Sequence, residues 1–117
     1  MALTITAVSN DTNSTTEVFS LSTDGVALTG TTQNIVGASG GFGFTPRYIE
    51  LCNLATGVVV EYWFGLPNGG KVTTAANGTV TVSATAGFTF GAGGGGTLAI
   101  DNSCFATSST YTLYIQR

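Results

Sequence analysis

Apolar residues recur in this chain at every second position and nowhere at the three-to-four spacing of a helix face. Tyr111, Leu113 and Ile115 fall on one side of a stretch whose other side is Thr112 and Tyr114, and Leu3, Ile5 and Ala7 alternate in the same way with Thr4, Thr6 and Val8. A period of two built from β-branched and aromatic residues is the pattern of a strand with one face on a core. The strong helix formers Lys, Glu, Gln, Arg and Met are scarce, which removes the material for a substantial helix.

Further strands are read at Val18–Leu21, Gln33–Val36, Arg47–Asn53, Val58–Phe64, Lys71–Thr74, Thr79–Ser83, Phe88–Phe90 and Thr97–Ile100. Turn signals separate them. Asp24-Gly25 predicts a hairpin returning through Val26 and Leu28, and Asn77-Gly78 supplies the two positive φ values of a type I′ turn,. Arg47–Asn53 and Val58–Phe64 form a hairpin around Ala55-Thr56-Gly57. About eight short strands in 117 residues predict one all-β domain over residues 1–117, either an antiparallel sandwich of jelly-roll type or a small barrel. Residues 1–16 are expected to extend as an N-terminal arm.

Charge narrows the possible partners. Only 8% of residues are charged, where an average soluble domain has about 25%. Disorder does not follow, because seven Phe, four Tyr and a Trp supply a core,. The apolar run Val58–Val60 ends at Glu61, far short of the roughly 20 residues of a membrane-spanning helix. Met1–Ile5 has neither the basic start nor the apolar stretch of a secretory signal,. Lys71, Arg47 and Arg117 are the only cations against six carboxylates, so no basic patch exists to neutralise phosphates and nucleic acid is not an expected partner. Histidine is absent, and with it the commonest general base and metal ligand.

Two cysteines, Cys52 and Cys104, close one disulfide or stay as reduced, buried thiols. The missing export signal favours thiols. Two thiols without histidine make a poor zinc site, so no metal and no cofactor is expected.

Several motif matches fail on chemistry. Gly37-Ala38-Ser39-Gly40-Gly41 fits the nucleophile elbow G-x-S-x-G, but no histidine is available to take the serine proton. Gly91–Gly96 fits G-x-G-x-x-G, yet it is followed by the strand-like Thr97–Ile100 and by no carboxylate beyond Asp101, where a dinucleotide site needs a helix and a later acid. Glu50 and Glu61 face each other if Ala55-Thr56 is a two-residue turn, as a paired-carboxylate glycosidase would require. A three-residue loop ending in left-handed Gly57 moves the register by one and puts them on opposite faces. Gly57 favours the second arrangement, and no catalytic residue is assigned.

Phe44-Thr45-Pro46-Arg47-Tyr48-Ile49-Glu50-Leu51-Cys52-Asn53, then Val59-Val60-Glu61-Tyr62-Trp63-Phe64, and later Lys71–Thr79 with its threonines, resemble in type and order small head-region proteins of tailed bacteriophages. The resemblance covers Gly41 to Val82. It implies a β-rich, non-enzymatic virion component on the capsid surface, made in the host cytoplasm. Such a component is a decoration or cement protein that contacts the major capsid protein and is often a homotrimer.

A sparsely charged Thr/Asn/Gly surface suits such a contact, since each buried charge costs several kcal/mol while hydroxyls and amides find partners. Consecutive Tyr62, Trp63 and Phe64 cannot all face one core. They are the candidate contact residues, with Phe42 and Phe44 in the glycine-rich segment and with Leu3 and Ile5, whose strand would add to a neighbour's sheet edge,. The competing expectation is a carbohydrate-binding or fibre-type β module that uses Trp63, Tyr48 or Tyr62 as a stacking platform. A surface this poor in charge also has little protection from self-association, so the isolated protein is expected to be an oligomer.

Overall fold

The structure is a computed structural model that describes residues 3–10, 16–35, 46–90 and 98–116. Among these, ten strands form two antiparallel sheets. The strands are β1 Leu3–Asn10, β2 Thr16–Thr23, β3 Thr32–Ile35, β4 Tyr48–Asn53, β5 Val59–Trp63, β6 Lys71–Thr74, β7 Val80–Ser83, β8 Phe88–Phe90, β9 Leu98–Asp101 and β10 Thr110–Gln116. The larger sheet runs β1-β2-β10-β4-β5-β6-β7 and the smaller one β3-β9-β8. The expected all-β class is therefore present as a sandwich-like pair of open sheets, and not as a closed barrel.

Alternation decides what is inside. Phe19 and Leu21 of β2, Leu113 and Ile115 of β10, Ile49 and Leu51 of β4 and Val60 of β5 pack against Ile35, Phe88, Leu98 and Ile100 of the smaller sheet. Each is buried, and its strand neighbours are half-buried or exposed. A backbone seam also ties the sheets together. Gly69 N donates to Phe88 O (2.7 Å), Gly87 N to Gly69 O (2.8 Å) and Phe88 N to Gly70 O (3.2 Å). A Cβ on Gly87 would sit 2.2 Å from the Gly70 carbonyl oxygen, so only glycine permits this approach,.

Three turns differ from expectation. The segment after Asp24-Gly25 does not return beside β2, because β10 already occupies that edge. Asp24 Oδ1 instead accepts from Val26 N (2.8 Å), and Ser108 N donates to Asp24 O (2.7 Å). Between β6 and β7, Gly78 alone has a positive φ, 90°. Gly78 N donates to Ala75 O and Ala75 N to Thr79 O (2.8 and 2.9 Å), which makes a three-residue loop rather than a type I′ turn,. Between β4 and β5, Asn53 Oδ1 accepts from Ala55 N (2.8 Å) and Thr56 N (3.1 Å), while Gly57 N donates to Asn53 O (2.8 Å). The loop thus spans residues 54–57, and an even-numbered loop keeps the parity of a two-residue turn.

The segment expected as an arm contains β1, which pairs with β2 in the chain's own sheet, Leu3 opposite Thr23 and Ile5 opposite Leu21.

Candidate interaction face

The face of the larger sheet turned away from the smaller one is built by the alternate residues of β2, β10, β4, β5, β6 and β7. Register places Val18, Tyr114, Glu50, Glu61, Val72 and Val82 in one row across the strands. Thr16, Gln116, Tyr48 and Trp63 form a second row, and Ser20, Thr112, Cys52, Val59, Thr74 and Val80 a third.

Glu50 stands directly opposite Glu61, which corrects the offset register favoured by Gly57. Gly57 does take a left-handed conformation, φ 79°, but it closes a four-residue loop and not a three-residue one. Like charges opposed on one face repel. The Tyr48 hydroxyl reaches both carboxylates, at 2.5 Å from Glu61 Oε2 and 3.0 Å from Glu50 Oε2. Burial, then the hydrogen bonds to Glu61 and Glu50, hold the Tyr48 phenol protonated well above its ordinary range,. Tyr114 meets the Tyr48 ring edge-on at 6.2 Å between centroids.

Around this polar centre exposed apolar side chains stand among hydroxyl and amide groups, while Val72 in the same row as the carboxylates is buried. Trp63 beside Tyr48 is 47% exposed, and Val80 and Val82 at the far end are 59% and 63% exposed. Phe64, at 68% the most exposed of these aromatics, carries the Arg47 guanidinium over its ring at 4.1 Å,. Glu50 and Glu61 are the only charged residues that these six strands place on the face.

The expected contact residues separate under this geometry. Trp63 and Phe64 are exposed. Tyr62 is a correction: at 8% exposure it belongs to the core, where its ring meets Phe90 edge-on at 4.9 Å. Alternation turns it inward between Glu61 and Trp63. Leu3 and Ile5 take places in β1, and Phe42 and Phe44 lie outside the described residues, as do Ser39 and the Gly91–Gly96 run. Sequence reasoning missed the valine pair on β7. Its signal was the alternation of Val80 and Val82 with Thr81 and Ser83 in a stretch without charge.

The opposite side of the molecule offers less chemistry. A single 3₁₀ turn, Asn102–Cys104, is capped by Asp101, whose carboxylate accepts from Ser103 N at 2.9 Å. Hydrogen bonds from Ser103, side chain first and backbone second, lower the Asp101 pKa against a smaller opposing effect of burial. Burial pushes the Cys104 thiol up to about 11, with Lys71 opposing. Lys71 Nζ lies 3.3 Å from Ser103 Oγ. Cys52 sits on the outer face and Cys104 on the core side, and both are free. A cleft of about 220 Å³ beside Cys104 is lined mainly by apolar groups such as Leu51, Val58 and Phe105. Among the described residues no three His, Cys, Asp or Glu side chains converge as a metal site would require.

The chain matches no protein-family model, and comparison with curated proteins and with solved structures yields no match either.

Proposed function

We propose that this protein is a non-enzymatic structural component of a virion, a decoration or cement protein that binds a phage capsid lattice through the outer face of its larger sheet. The observation that carries the reading is the character of that face. Trp63, Val80 and Val82 stand exposed on it, and its two charges, Glu50 and Glu61, are gathered on one tyrosine hydroxyl. Burying such a face against a shell protein desolvates few charges and covers aromatic and aliphatic area, the composition typical of interface centres. The segment that resembles phage head proteins, Gly41 to Val82, includes the strands that present Tyr48, Trp63, Val80 and Val82.

Purification of intact particles tests the reading. The protein is expected at a fixed ratio to the major shell protein, and Trp63→Ala is expected to lower its occupancy. Particles lacking the protein would remove the proposal.

A second reading rests on the neighbouring Tyr48 and Trp63 with Gln116 and the two carboxylates alongside. This is the layout of a flat sugar-stacking platform. Binding of the isolated protein to a defined glycan, lost in Trp63→Ala, would favour that reading over a capsid contact.

A further inference from the structure

Strand β7 ends the larger sheet, and among the described residues only β6 pairs with it. The β6–β7 register fixes which of its backbone groups are used. Lys71 opposes Ser83, Thr73 opposes Thr81, and the loop bond runs from Ala75 N to Thr79 O. In an antiparallel ladder hydrogen-bonded and non-hydrogen-bonded pairs alternate. Thr79, Thr81 and Ser83 therefore turn their backbone groups toward β6, while Val80 and Val82 turn theirs to the open edge.

Open edges in natural sheets are blunted by charges, proline, bulges or a covering element. The opposite edge strand, β1, has its register broken between Ala7 and Ser9. Strand β7 has an unbroken register, and residues 75–86 contain no charged residue and no proline. Its two outward valines are also the most exposed aliphatic side chains on the outer face.

We propose that β7 is a self-pairing edge, and that two copies of this chain join their larger sheets through it, antiparallel across a two-fold axis at Thr81. Val80-Thr81-Val82 reads the same in both directions by residue type. With Thr81 opposite Thr81 of the second copy, Val80 of each copy meets Val82 of the other, and those are the residues whose backbone groups are free to exchange hydrogen bonds. The axis lies perpendicular to the sheet, so all four valines emerge on one face and extend the row begun by Val72. Identical uncharged strands meet no like charge, and a two-fold contact is closed. The symmetry is two-fold, where the resemblance to phage head proteins implies a threefold. The inference stands independently of the capsid reading.

Sedimentation equilibrium of the full chain tests it, together with amide exchange. The wild type is expected to be a dimer, with the amides of Val80 and Val82 protected as well as that of Thr81. Val82→Lys, which puts a lysine opposite Val80 of the other copy and two like charges diagonally across the axis, is expected to weaken dimerisation at least tenfold and to expose the amides of positions 80 and 82. Protection at Thr81 is expected to remain, reporting an intact hairpin. Thr81→Cys gives a second readout that does not depend on folding of the lysine variant, because the paired positions at the axis are close enough for a symmetric disulfide. A monomer at all concentrations, a dimer unaffected by Val82→Lys, or no disulfide through Cys at position 81 would overturn the proposal. Capture of an unrelated strand in place of a second copy would overturn it as well.

Discussion

Glu50 and Glu61 face each other on adjacent strands, and the hydroxyl of Tyr48 reaches both carboxylates. A phenol has one proton to donate, so it serves one carboxylate at a time, with the shorter contact to Glu61, and offsets part of the repulsion of this cross-strand pair. Tyr48→Phe is expected to lower stability by about 1–2 kcal/mol, the scale of a part-exposed hydrogen bond to a charged group. Glu61→Gln in that background should recover part of the loss, as urea unfolding of the single and double variants would show.

The same contact gives stability a dependence on alkaline pH. The folded state raises the Tyr48 pKa, so its contribution is complete below the ordinary phenol value of about 10 and is lost as pH rises above it. Unfolding midpoints measured from pH 8 upward should fall more steeply in the wild type than in Tyr48→Phe. Ultraviolet titration should show one tyrosine ionising later than the rest.

Asp101 works in the opposite direction. Its folded pKa is lowered, so its contribution is present above the ordinary carboxylate range and fades as pH falls below about 4. Asp101→Ala removes the cap on the 3₁₀ turn and is expected to cost about 1 kcal/mol at neutral pH. Denaturation of both proteins from pH 7 to pH 2.5 should show the difference shrinking toward the acid end.

Gly87 and Gly57 are glycines for different reasons, and alanine separates them. At Gly87 a Cβ would collide with backbone, 2.2 Å from Gly70 O, so Gly87→Ala is expected to cost about 3 kcal/mol or more by parting the seam between the sheets. At Gly57 nothing lies within 4 Å and only the φ of 79° is at stake, so Gly57→Ala should cost about 1 kcal/mol. Thermal melts of the two variants would rank them.

Strand identity was legible because the core of this protein is written in period two. Leu113, Leu51 and Ile49 announce their inward face without reference to anything distant. Loop lengths were less legible. Asn53 accepts two backbone N–H groups through its side chain and adds a residue that Gly57 alone does not reveal, and that residue sets the register of Glu50 against Glu61. Long-range pairing was not legible at all. Asp24-Gly25 carries a sound local turn signal, but its strand loses the competition for the edge of β2 to β10, far away in sequence. The exposure of Trp63 and the burial of Tyr62 follow from one register fact that three consecutive aromatics leave open.

Strand β10 lies between β2 and β4, and its partners come from the first quarter and the middle of the chain. Until that segment arrives, β1–β2 and β4–β7 are separate half-sheets, each with an unmatched inner edge, and no local hairpin can substitute for the missing strand. Loop-closure entropy must be overcome before any of these contacts forms, which places folding in the slow regime of non-local β proteins, about milliseconds to seconds. During that interval the two unmatched edges are open to pairing with other chains. The yield of refolding should therefore depend more on protein concentration than on the stability of the finished sandwich.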